Sequence, residues 1–119
     1  MGCSSVNIFP NGEGTEYYKD GSIKYQGYFL NGKYEGQGKF IKENGDYYIG
    51  QWKKGLRHGK GICYNKDGSI YYEGDFVKDN YEGFGKYITE EGDYVISQWK
   101  NGYLCGKGKK FYKDGSLMY

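Results

Sequence analysis

The sequence predicts an all-β chain: an elongated, single-layer array of consecutive antiparallel β-hairpins. Three observations predict it. Short segments alternate strictly, as in Tyr48-Ile-Gly50-Gln-Trp52, which puts two aromatic residues and a glycine on one face of a strand. A Gly-x-Gly element with a third glycine behind it recurs five times, at 12/14/21, 36/38/45, 59/61/68, 83/85/92 and 106/108/115. The composition fits no helical protein, with 22 glycines and no alanine among 119 residues. The step between copies alternates between 24 and 23 residues, so this is a repeat array. Aromatic residues make up 20 % of the chain and 16 of them are tyrosines. They supply apolar area that a mean hydropathy of −0.91 conceals.

Residues 1–10 stand outside the repeat and read as a flexible N-terminal tail ending at Pro10, the only proline. The opening MGCSSV matches a lipidation signal in part: Gly2 for myristate and Cys3 for a palmitoyl chain, with Val6 where Ser or Thr is usual. One acyl chain gives marginal membrane residence and two give a stable one. An unmodified tail is the alternative. Residues 11–119 form the array. It begins with an unpaired half-repeat, Gly14 to Tyr18, expected to cap the first full hairpin. Four hairpins follow, led by Tyr25-Gln-Gly27-Tyr-Phe29, Tyr48-Ile-Gly50-Gln-Trp52, Tyr72-Glu-Gly74-Asp-Phe76 and Val95-Ile-Ser97-Gln-Trp99. With the cap this makes nine strands. Lys53 to Arg57 carry a turn through Gly55, and Asp79-Asn80 stands where a turn glycine is expected in the third hairpin. Gly27, Gly50 and Gly74 are expected to leave room for a ring from the neighbouring strand. Gly36/Gly38, Gly59/Gly61 and Gly83/Gly85 are expected to do the same on the second strand. Tyr119 aligns with Tyr25 and Tyr72 as the first residue of another repeat, which leaves open an exposed sheet edge or a longer protein.

The pattern Y-x-G-x-[WF]-x-x-G-x-x-x-G-x-G resembles the MORN (membrane occupation and recognition nexus) repeat over residues 12 to 119. The resemblance implies about four full repeats plus the N-terminal half-repeat. It also implies a non-enzymatic scaffold or tether: a platform for a protein partner, for anionic lipid, or for both, at the cytosolic face of a membrane. Two other classes stay open. One is a regulatory segment of a larger enzyme of the lipid-kinase or methyltransferase type. The other is a cytoskeletal or junctional structural protein independent of lipid. A homodimer through an exposed sheet edge is a further expectation.

Charge follows the double repeat. Gln51 to Lys66 holds Lys53, Lys54, Arg57, Lys60 and Lys66 without an acid, and Trp99 to Lys113 holds Lys100, Lys107, Lys109, Lys110 and Lys113 without one. Glu73 to Asp93 between them is acidic. Lys53, Lys54, Arg57, Lys60, Lys107, Lys109 and Lys110 are therefore the candidate contacts for anionic lipid or an acidic partner, against a plain solvated face. Tyr34, Tyr81 and Tyr103 fall in the hairpin turns and are the aromatics expected to be exposed. A net charge of +2 and an acidic middle argue against nucleic acid. Three cysteines without metal spacing and no secretory h-region read as reduced thiols in the cytosol. His58 is the only histidine and reads as a loop residue. The Gly-x-Gly elements do not open a helix, so no phosphate loop is expected. No catalytic residue, metal or cofactor is expected.

Overall fold

The structure is a computed structural model that describes residues 11–118. It is one antiparallel sheet of nine strands in sequential order. The strands are β1 (Asn11–Tyr17), β2 (Ile23–Leu30), β3 (Lys33–Ile41), β4 (Tyr47–Lys53), β5 (Leu56–Tyr64), β6 (Ile70–Val77), β7 (Asn80–Ile88), β8 (Tyr94–Lys100) and β9 (Tyr103–Phe111). No helix occurs among the described residues. The molecule measures 55 × 25 × 18 Å, elongated as the repeat implies. The tail 1–10, with Gly2 and Cys3, and Tyr119 lie outside the described residues.

Two kinds of turn alternate. Tight two-residue turns close β2–β3, β4–β5, β6–β7 and β8–β9. Both central residues lie in the left-handed region, as at Asn31-Gly32 (φ 53° and 78°) and Lys54-Gly55 (φ 52° and 84°). That geometry matches the twist of the flanking strands. In the third hairpin the left-handed pair is Lys78 (φ 47°) and Asp79 (φ 72°), while Asn80 already belongs to β7. The sequence expectation placed this turn one residue late. The longer turns between hairpins are held by local side-chain hydrogen bonds. Asp20, Asp67 and Asp114 each accept from the backbone N–H and the hydroxyl of the serine two residues on. Those bonds to Ser22, Ser69 and Ser116 hold the three carboxyls below the usual carboxylate range.

The registers place one residue type in a continuous line across the sheet. Gly14 pairs with Gly27, Gly27 with Gly38, Gly38 with Gly50, Gly50 with Gly61, Gly61 with Gly74 and Gly74 with Gly85. Gly85 then meets Ser97, the one interruption before Gly108. Rings of Tyr25, Tyr48 and Tyr72 lie down on this lane. A Cβ on Gly27 would come 2.5 Å from the Gly38 Cα and 2.7 Å from the Tyr25 hydroxyl. Each ring thus covers the glycine two residues on in its own strand and the paired glycine of the next. The expectation of a ring from the neighbouring strand holds for Gly38, Gly61 and Gly85. It is corrected for Gly27, Gly50 and Gly74, whose ring comes from their own strand. The alternating strand makes that possible: residues i and i+2 share a face.

Gly36, Gly59 and Gly83 do a different job from the one expected. They take φ of 66°, 87° and 69° where the hairpin registers shift, and no ring rests on them. They are bulge glycines, which a side chain would strain.

Candidate binding surface

The two faces of the sheet differ. The polar face pairs Lys60 with Asp75 (Nζ to Oδ1 3.7 Å), Glu73 with Lys86, and Gln51 with Gln37 (2.7 Å). The other face carries the core: Tyr25, Phe29, Tyr48, Trp52, Cys63, Tyr72, Phe76 and Trp99 are buried, with Tyr34, Phe40, Tyr71, Tyr81 and Tyr87 packed against them. A single layer buries rings only because the glycine lane lets them sink onto the backbone and cover one another. Their polar atoms are met on the way. The hydroxyls of Tyr25, Tyr48 and Tyr72 donate to the carbonyls of Tyr28, Gln51 and Asp75 at 2.9, 3.0 and 3.2 Å. The indoles of Trp52 and Trp99 donate to Gly38 and Gly85 at 3.1 and 3.3 Å.

The ring pattern follows the double repeat. Tyr34 stacks on Tyr25 with centroids 3.8 Å apart and planes at 4°, and Tyr81 stacks on Tyr72 at 3.8 Å and 8°. Trp52 meets Tyr34 edge-on at 5.2 Å, as Trp99 meets Tyr81 at 5.2 Å. Tyr34 and Tyr81 are therefore core partners, which corrects the expectation that they are exposed. Both belong to strands, because the tight turn is already complete one or two residues earlier. Tyr103 is 77 % exposed, as expected.

Over Tyr48 the pattern breaks. The position held by Tyr34 and Tyr81 is occupied by Arg57, and the position held by Phe40 and Tyr87 by Cys63. The Arg57 guanidinium lies 5.6 Å from the Tyr48 centroid and 4.6 Å from that of Phe76. Its Nε bonds Asp79 Oδ1 at 2.5 Å, Nη2 the Asp79 carbonyl at 2.9 Å, and Nη1 the Cys63 sulfur at 3.7 Å. Burial pushes the Cys63 thiol up despite that guanidinium. A cleft of about 210 Å³ opens beside it, lined by Tyr34, Phe40, Tyr48, Trp52 and Tyr71, with Lys42 and Asp79 also in its lining. Lys42, Phe40 and Tyr71 carried no mark in the sequence reading. Aligning the repeats would have marked the place, since Arg57 and Cys63 depart from the aromatic residues at equivalent positions.

The candidate cations do not form one patch. Arg57 is partly exposed and is held by Asp79, Cys63 and the rings of Tyr48 and Phe76. Lys53 and Lys54 are exposed at the β4–β5 turn. Lys60 and Lys109 project from the polar face, opposite Asp75 and Ile96, while Lys110 pairs with Val95 on the aromatic face. The side chain of Lys107 lies outside the described residues. Cys105 is exposed on β9 and Cys63 is buried. Among the described residues no group of three or more His, Cys, Asp or Glu could hold a metal ion, and no helix is long and apolar enough to cross a membrane.

A family model described as MORN repeat matches residues 6–23, 25–47, 48–70, 72–94 and 96–117. The last four segments are the full hairpin repeats, and the first contains the half-repeat and starts inside the tail. No curated protein matches the chain.

Proposed function

This chain belongs to the MORN repeat family, and from that premise we propose that it is a non-enzymatic tether, anchored by acyl chains at Gly2 and Cys3, whose sheet presents its aromatic face to a protein partner. The observation that supports this reading is the single layer. Tyr34, Phe40, Tyr71, Tyr81 and Tyr87 are only partly buried, and among the described residues no second layer covers them. Such a face is an adhesive surface on a stiff support. The spread of Lys53, Lys54, Lys60, Lys109 and Lys110 over the turns and both faces makes the array a poor electrostatic membrane contact by itself, so the tail carries the anchoring. The test is membrane fractionation of the wild type beside Gly2→Ala and Cys3→Ser, with a salt wash. The wild type should pellet, resist salt and be released by either substitution. A wild type that stays soluble overturns the anchor.

A further inference from the structure

We infer that the cleft over Tyr48 is a receptor slot for one aromatic side chain flanked by acidic residues, carried on an extended segment of a protein partner. The inference rests on the reading of the array as a binding platform and says where on it recognition takes place.

The cleft is a missing ring. On Tyr25 and on Tyr72 the fold supplies its own second ring, stacked at 3.8 Å in both cases. On Tyr48 it supplies Arg57, and beside it the small Cys63 in place of Phe40 or Tyr87. One ring is thus absent from the lining of the cleft, where Arg57 stands in its place, while Cys63 is fully buried and does not line it. At about 210 Å³ the space falls below the size usual for drug-like ligands and cofactors and suits a single inserted side chain. Its walls are aromatic edges and faces, Trp52 standing 5.1 Å from Tyr48 at 86°. They favour a planar guest over a branched aliphatic one.

Charge decides what flanks the guest. Lys42 and Arg57 set two cations in the lining against one carboxylate, Asp79. Asp79 and Cys63 engage one N–H from each of the three guanidinium nitrogens. A guanidinium has five N–H donors, so two remain for an incoming carboxylate. The second double repeat lacks this set of residues. Its equivalents of Lys42, Tyr48 and Arg57 are Thr89, Val95 and Leu104. Among the described residues this combination occurs once, so one-to-one binding is expected.

The test is an NMR titration of the full chain with the blocked peptide Ac-Glu-Asp-Phe-Asp-Glu-NH2. Two counterparts serve as controls, one with Ala for Phe and one with Lys for every acid. The expected result is a saturable one-site shift of the Trp52 indole N–H with Tyr48 and Tyr71, weakened about tenfold or more by either counterpart. Arg57→Tyr refills the slot with the ring found in the sister repeats and should abolish the shift. Lys42→Glu alters an exposed side chain outside the ring packing, so it serves should Arg57→Tyr fail to fold. It should weaken the acidic peptide about tenfold and strengthen the lysine peptide. Equal binding of the Ala peptide, undiminished binding to the variants, shifts centred on Tyr28 and Phe84 of the polar face, or no saturable shift at millimolar peptide would overturn the slot. Failure of the tether shows separately, as a soluble wild type in fractionation, and leaves this titration unaffected.

Discussion

Substituting Gly85 by alanine tests the glycine lane at a place free of backbone strain. Gly85 is not among the glycines of positive φ, so its backbone accepts a side chain. The obstacle is Tyr72, which is fully buried. A Cβ at Gly85 would lie 2.7 Å from Cζ and 2.8 Å from Cε1 of that ring. Ordinary carbon contacts need about 3.5–4.0 Å, so the ring must retreat by about 1 Å. Retreat weakens its stacking on Tyr81, its edge contacts with Phe76 at 5.3 Å and Trp99 at 5.9 Å, and its hydroxyl bond to Asp75. Losing half the burial of one aromatic ring costs about 1 kcal/mol. Disturbed ring pairs add about 0.5–1.5 kcal/mol each. The stiffer unfolded chain returns about 0.4–1 kcal/mol. The net is a loss of about 2–5 kcal/mol, a fall in Tm on the order of 10–20 °C for a chain of this size. Thermal melting followed by near-ultraviolet circular dichroism is the assay. The same change made in a Tyr72→Ala background, where no ring occupies the lane, should cost nothing. A Tm within about 2 °C of wild type, or an equal loss in both backgrounds, refutes the seat. The chain contains its own control: Ser97 stands in the lane where Val95 replaces the tyrosine, so a side chain is tolerated where no ring needs the space.

Alkali should unfold the array early. Burial pushes Tyr25 and Tyr81 up to about 12 and also raises Tyr34, Tyr48, Tyr71 and Tyr72. The folded state holds these protons to higher pH than the unfolded one, so their contribution is complete below about pH 10 and lost as pH rises through about 12. Tyrosinate absorbance from these rings should appear together with the loss of ellipticity; full ionisation with the fold intact contradicts their burial. Lys54→Asn gives the left-handed turn residue at φ 52° a better occupant and should raise stability by about 0.5 kcal/mol, read from denaturant midpoints. A lowered midpoint would show that Lys54 has a packing role. Phe84, 67 % exposed on the polar face, should accept glutamine within about 0.5 kcal/mol by the same measurement. A larger loss would make the polar face part of the core.

The strands were legible because one periodicity repeats with little variation, and the nine expected are the nine found. The glycine lane was legible as spacing, although the direction of the rings was not. Whether Tyr48 leans over its own strand or the next depends on a side-chain torsion that alternation leaves undetermined. Tyr34 and Tyr81 were misjudged through turn length: a turn that ends at Gly32 puts Tyr34 inside β3, on the aromatic face. Charge density along the chain said little about Arg57, because a strand sends neighbouring residues to opposite faces and a run of cations is divided on folding. The break at Arg57 and Cys63 was present in the sequence. It becomes meaningful once its equivalents are seen stacked at 3.8 Å.

Strictly sequential strand order has a mechanical consequence. Every strand crosses the long axis, and the only partner of each is the strand before or after it. Tension applied between the two ends runs along the hydrogen bonds and reaches them one row at a time, as in opening a zip. A sheet built this way peels hairpin by hairpin under a low, nearly constant force and lengthens as it does so. It would behave as an extensible spring where a sheet loaded in shear would act as a rigid strut, with the backbone bonds that tie each tight turn to the preceding hairpin (Gly55 to Tyr34, Asp79 to Arg57, Gly102 to Tyr81) setting the length of each step.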